Sequence, residues 1–277
     1  MTVVTAETGE TSSDDRHRNR AQDAGASAGN AGARAAVRNR KRETERARSV
    51  DEDRGDASSR DVVLPEKRLA SRLLQAANRV LTHSYHRVEA FAPCRLPRSG
   101  SAILVCNHTS ALDPHLIQSP CRRLITWMMA KEFYDLWYLK PVFEQLGVIP
   151  VTRSGRDTSA TRAAMRALKN GQLVGLFPEG RIETSRDFLP FQTGVALMAM
   201  KTGVPVYPAF LDGTQRNTSM LAALLRPQRA RIIFGDEVKF DRSDTSREGL
   251  EAATAAIQGA VEALRDRMDQ TVARRGF

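Results

Sequence analysis

Between residues 102 and 238 the chain lays down six short apolar runs: AILVCNH (102–108), RLITWMMA (123–130), GVIPVTR (147–153), QLVGLFPEG (172–180), VPVYPAFL (204–211) and ARIIFGDEV (230–238). Runs of this length and composition read as buried strands. Helical stretches separate them: KEFYDLWYLKPVFEQLG (131–147), residues 157–170 with Gly171 as the stop, and 193–202. A long amphipathic helix is expected over 246–274. Strands alternating with helices predict an α/β fold, with a mostly parallel central sheet flanked by helices. In such sheets ligands bind beyond the carboxyl ends of strands. Two stretches stand at such ends, NHTSALD (107–113) and FPEGR (177–181).

Upstream the character changes. Residues 1–60 hold no Phe, Tyr or Trp and few large aliphatics, so they cannot bury enough apolar area to offset the entropy of ordering. They are expected to be a disordered tail before a domain over 61–277. In LPEKRLASRLLQAANRVLTHSY (64–85) an N-terminal amphipathic helix is expected. Leu69, Leu73, Ala76, Ala77, Val80 and Leu81 make one stripe; Arg68, Arg72, Gln75 and Arg79 make another about 100° round the helix. That arrangement suits a membrane surface and suits packing on the core equally well.

The basic excess belongs to the folded part. Residues 1–60 carry 12 Lys/Arg against 11 Asp/Glu, and the rest carry 30 against 21, so +9 of the net +10 lies beyond the tail. Such a domain prefers an anionic partner. Its basic residues are dispersed rather than clustered with aromatics, which argues against nucleic acid. The apolar run 188–200 is 13 residues long, short of the roughly 20 that span a bilayer. Three cysteines (Cys94, Cys106, Cys121) without paired spacing, and no apolar leader, point to a reducing compartment.

His108 stands just past a strand, where an imidazole of ordinary pKa near 6.5 can act as a base. It needs a carboxylate on its other nitrogen to fix the tautomer. If the chain turns into a helix after His108, Asp113 comes back within reach. Asp113-Pro114 also fits a plain turn. His115 raises a chelate with His108 and Asp113, but no second His/Cys cluster supports a metal, and none is expected. Ser110 lacks the Gly-x-Ser-x-Gly elbow of a nucleophile, and Cys106 reads as a buried strand residue. Arg153 follows a strand and is available to a phosphate. Glu179, Gly180 and Arg181 sit at another strand end, where Gly permits close backbone approach. Pro205 and Pro208 point to an edge strand or to a strand end lining a site.

Taken in order, NHTSALD, GVIPVTR, FPEGR and VPVYPAF resemble the four sequence blocks of the glycerolipid acyltransferases, over about residues 85–240. The resemblance implies His108 as the base that deprotonates an acceptor hydroxyl for attack on an acyl thioester, with Asp113 orienting it. It implies Arg153 on the acceptor phosphate, Glu179, Gly180 and Arg181 in the acceptor site, Asn107 and Ser110 shaping the first block, and Pro205 lining the substrate path. It implies a lysophospholipid acceptor, 1-acylglycerol-3-phosphate going to phosphatidate, and acyl-CoA or acyl carrier protein as donor substrate, with no cofactor. It also implies peripheral binding at the anionic cytoplasmic face of a membrane. Two positions depart from the family pattern: Glu183 stands where Ser or Thr is usual, and Gln192 replaces a basic residue. Both lower the positive charge near the acceptor. The competing readings are a different acceptor for the same machinery, a hydrolase using water, and a non-catalytic basic membrane- or nucleic-acid-binding module.

Overall fold

Each of the six apolar runs contains a strand. The computed structural model describes residues 69–152, 157–183, 188–216 and 220–276, all within one compact unit, Val63–Phe277. The tail over 1–60, Arg68 and Arg153 lie outside the described residues. The strands are β1 (Glu89–Ala90), β2 (Ala102–Cys106), β3 (Ile125–Ala130), β4 (Ile149–Val151), β5 (Leu173–Leu176), β6 (Val206–Asp212) and β7 (Arg231–Phe234). They form one sheet in the order β1-β7-β6-β2-β5-β3-β4. Every neighbouring pair is parallel except β6 with β7.

Alternation along the central strands divides the core in two. Ile103 and Val105 of β2, with Val174 and Leu176 of β5, face one side. There they meet α5 (Thr158–Lys169), α6 (Gly194–Thr202) and α8 (Arg247–Arg275). Ala102, Leu104 and Cys106 face the other, against Leu112, Leu116 and Ile117 around α2 (Asp113–Gln118). All of β2 is buried, as befits a strand covered on both faces. α5 begins because Asp157 caps it, its Oδ1 accepting from the N–H groups of Ser159 and Ala160. It stops at Gly171, which has φ +78°. α8 presents Ala253, Ile257, Val261, Leu264 and Met268 to the sheet, a helical stripe. Gly175 in β5 lies flat under Trp127 and Ile125, where a Cβ would collide with both side chains.

Two local expectations are corrected. The single helix over 131–147 is two, α3 (Lys131–Tyr134) and α4 (Lys140–Leu146). A continuous helix would need an N–H at 141 for the carbonyl at 137, and Pro141 has none; it sits instead in the first turn of α4. The prolines of the fourth block do not mark an edge, because β6 lies between β2 and β7. Pro208 is tolerated there since β7 pairs only with Ala209–Asp212, so its missing N–H falls beyond that ladder.

The first helix, α1 (Leu69–Ser84), is docked by its polar side. Ser71 Oγ donates to the Gln145 carbonyl at 3.0 Å, and Asn78 Nδ2 to the His115 carbonyl at 2.9 Å. Arg79 donates to the carbonyls of Ser119 and Cys121, and Thr82 Oγ1 to Ser119 Oγ. The apolar stripe faces outward: Leu69 is 71%, Leu73 61% and Val80 67% exposed. Packing of that stripe on the core is therefore excluded. Arg79 is exposed but is held to α2's end by these two carbonyls. At one end of α1, Tyr85 donates to the Leu225 carbonyl of α7 (Met220–Leu225), whose Leu221 and Leu225 are also exposed. At the other, Ser71 reaches α4, just after the exposed Trp137 and Tyr138.

Candidate active site

The site is built where β2 and β5 end side by side. Val105 pairs with Leu176, and the register carried onward sets His108 opposite Glu179. The His108 N–H donates to Glu179 Oε1 at 3.2 Å. Its ring stacks on Phe177 at 4.1 Å between centroids, and Phe177 stacks on Trp127. Asn107 fastens the end of β2 to β6: its Nδ2 donates to the Leu211 carbonyl, and its Oδ1 accepts from the Leu211 N–H.

Asp113 is the fully buried first residue of α2. The chain turns at Thr109–Leu112 so that Asp113 Oδ2 accepts from the N–H groups of Thr109 (2.6 Å) and Ser110 (2.8 Å) and from His108 Nδ1 (3.0 Å). With Nδ1 carrying the proton into that bond, Nε2 has its lone pair free. The two backbone donors hold the carboxylate in place without help from the imidazole. His108 keeps 18% of its side chain exposed, enough to meet a substrate. Ser110 is not placed as a nucleophile for this base: its Oγ is buried and accepts from the Leu112 N–H.

Glu179 is buried, and its Oε2 has no hydrogen-bond partner. Burial first, then the Glu183 and Asp113 carboxylates, push it up to about 7, against the donor from His108. The same burial, with Asp113 and Glu179 nearby, holds the Cys106 thiol well above its ordinary range and makes it inert. Gly180 has φ +72°, and the Gln192 side chain covers the place a Cβ would take. The departure at Gln192 thus packs on the third block's glycine. Arg181 follows on the exposed side of this turn. The Glu183 N–H donates to the His108 carbonyl at 2.7 Å, tying the third block to the first. A cavity of about 300 Å³ opens beside Asn107, Thr109 and Glu179, with Arg216 and Arg265 on its wall.

The structure therefore brings together Asn107, His108, Ser110, Asp113, Glu179 and Gly180. Pro205 is apart from them: its carbonyl accepts from the Ile103 N–H at the start of β2, roughly 15 Å from His108 at about 3.3 Å per residue. Burial, and then the charge of His86 nearby, lower the pKa of His115. Among the described residues no three His, Cys, Asp or Glu side chains are grouped to hold a metal ion. Sequence reasoning missed Phe177 as the platform of the imidazole, although the Phe is part of the third block.

Comparison with known proteins matches residues 87–212 to the Acyltransferase family model. The 1-acyl-sn-glycerol-3-phosphate acyltransferase of Bacillus subtilis is 24% identical over 188 residues, covering 66% of this chain and 90% of that one. The protein of the same description from Salmonella typhimurium is 27% identical over 200 residues, covering 68% and 77%. The coconut (Cocos nucifera) protein is 30% identical over 149 residues, half of this chain and 46% of its own. In three dimensions the chain has the fold of the Thermotoga maritima 1-acyl-sn-glycerophosphate (LPA) acyltransferase PlsC, with a TM-score of 0.56 at 24% identity over 70% of this chain and 79% of that one.

Proposed function

We propose that the protein is an acyltransferase of the glycerolipid type, on the likeness of residues 87–212 to the Acyltransferase family model, and that it moves a fatty acyl group from a thioester to the hydroxyl of 1-acylglycerol-3-phosphate, giving phosphatidate. The observation that carries this reading is the His108–Asp113 pair without a nucleophile of its own. The acceptor hydroxyl supplies the nucleophile. His108 Nε2 takes the hydroxyl proton as the oxygen attacks the thioester carbonyl; the C–S bond breaks and the thiolate leaves, taking up the proton that His108 gives back. An ester and a free thiol result, with no redox change and no cofactor. The donor is acyl-CoA or acyl carrier protein. With purified protein and acyl-CoA, free CoA is released only when the lysophospholipid is added. Equal release without acceptor would assign the pair to thioester hydrolysis.

Arg153 is proposed to hold the acceptor phosphate, on the likeness of GVIPVTR to the second block. Its replacement by alanine is expected to raise acceptor KM about ten- to hundredfold, the equivalent of losing one charge-assisted hydrogen bond, and to leave donor KM unchanged. A donor KM rising as much as the acceptor's would reassign the residue.

The acceptor and product are lipids, and among the described residues no helix is long and apolar enough to cross a membrane. The proposed meeting place is the anionic cytoplasmic face of a bilayer, bound peripherally. What supports it is the outward stripe of α1, flanked by the exposed Trp137 and Tyr138 at one end and by α7 at the other. The protein is expected to float with anionic vesicles at low salt, and less at high salt. Leu73→Glu with Val80→Glu should abolish flotation without lowering Tm, since neither side chain is buried. Arg72→Gln should weaken it modestly, about 1 kcal/mol for one charge near the surface. Undiminished flotation of the double glutamate variant would remove α1 from the interface.

A further inference from the structure

The cysteines, which show no pairing in sequence, are paired in space. Cys94 Sγ, in the connection between β1 and β2, lies 3.1 Å from Cys121 Sγ, just past α2. Cys94 is half-buried and Cys121 fully buried. Cys106 is held apart in β2, its sulfur on Asn107 Oδ1.

We propose that Cys94 and Cys121 are a reversible oxidation site, closing an intramolecular disulfide around the first sequence block when the protein meets a small-molecule disulfide. The two sulfurs have the division of labour such a site needs. Cys94 is the reachable one. The hydrogen bond from Cys121 lowers its pKa, helped by the Leu96 N–H against its partial burial. Cys121 keeps its proton: its hydrogen bond to Cys94, burial and the Cys94 charge all raise it, with Arg79 opposing. The Cys94 thiolate attacks one sulfur of the small disulfide and releases one small thiolate. Cys121 then attacks the Cys94 sulfur, its proton passing to the leaving group, and the second small thiol departs. Two protein thiols and one disulfide become one protein disulfide and two small thiols.

The closed loop spans 27 positions and contains His108 and Asp113. Its far end is the residue whose carbonyl receives Arg79 of α1. Cross-linking therefore staples the connection before β2 to the seat of α1, and leaves the His108–Asp113 bond untouched. This holds whichever acceptor the enzyme uses.

The test treats the reduced full-length protein with oxidised glutathione. The expected result is a fall from three free thiols to one, a loss of two hydrogens in mass, a peptide linking Cys94 with Cys121, and a Tm raised by roughly 5–10 °C. Dithiothreitol should reverse all of these. Cys121→Ser should stop at a glutathione adduct on Cys94, and Cys94→Ser should form neither adduct nor cross-link. The proposal is overturned by three thiols surviving, by a glutathione adduct persisting on the native pair, or by a cross-link through Cys106 or between chains. A linked protein with an unchanged Tm would overturn the stapling role.

Discussion

On the proposed function, replacing His108 by alanine is expected to leave a folded protein with about a thousandfold less acyl transfer. The magnitude is that of losing a positioned general base, and His108 is the one imidazole at the carboxyl ends of β2 and β5 among the described residues. The fold should survive. The frame of this turn is made by Asp113 with two backbone N–H groups, by Asn107 on β6 and by the backbone bond between Glu183 and His108, none of which uses the imidazole. What is lost is one mostly buried ring stacked on Phe177. Steady-state thioester consumption with acceptor, beside a thermal melt, checks both halves. Native turnover from a folded His108→Ala protein would end the mechanism.

Asp113→Asn is expected to cost about 10²- to 10⁴-fold in kcat, with a Tm loss of only a few degrees. An asparagine oxygen can still accept from Thr109 and Ser110, so the turn persists. That oxygen also still faces His108 Nδ1, but the side chain carries no charge for an imidazolium, and its NH₂ falls on the buried place of Oδ1, where nothing among the described residues accepts from it. Asp113→Ala is different in kind. It leaves two buried N–H groups unpaired and should destabilise the protein by roughly 1–3 kcal/mol each. An Asn variant as active as the native enzyme would show that Asp113 serves only the turn.

How much of this was legible in the chain varies by residue. The strand ending at Cys106 and the return of Asp113 onto His108 follow from local rules: an apolar run, a short turn, a proline in the first turn of a helix. The pairing of Glu179 with His108 needs the neighbouring register of β2 and β5, which lie 67 residues or more apart in sequence and leave no local trace. The distance of Pro205 from His108 was illegible for the same reason, since a block fixes order along the chain but not which end of the sheet it occupies. The pairing of Cys94 with Cys121 joins two loops and has no periodic signal. For α1 the stripe was legible and its direction was not, because periodicity shows that a helix has two faces without showing which one the protein covers.

That direction has a consequence for how α1 comes loose. Undocking it breaks a handful of hydrogen bonds, each worth about 0.5–1.5 kcal/mol net, and uncovers little of its own apolar stripe, because Leu69, Leu73, Val80 and Leu81 already face outward. Its release is therefore expected to have a smaller heat-capacity change and a weaker urea dependence than that of a helix docked by its apolar face, since both scale with area uncovered. Amide exchange along Leu69–Ser84 should proceed by this release and the unravelling of the freed helix, at a rate weakly dependent on denaturant, while the strands behind it exchange only when the whole domain unfolds.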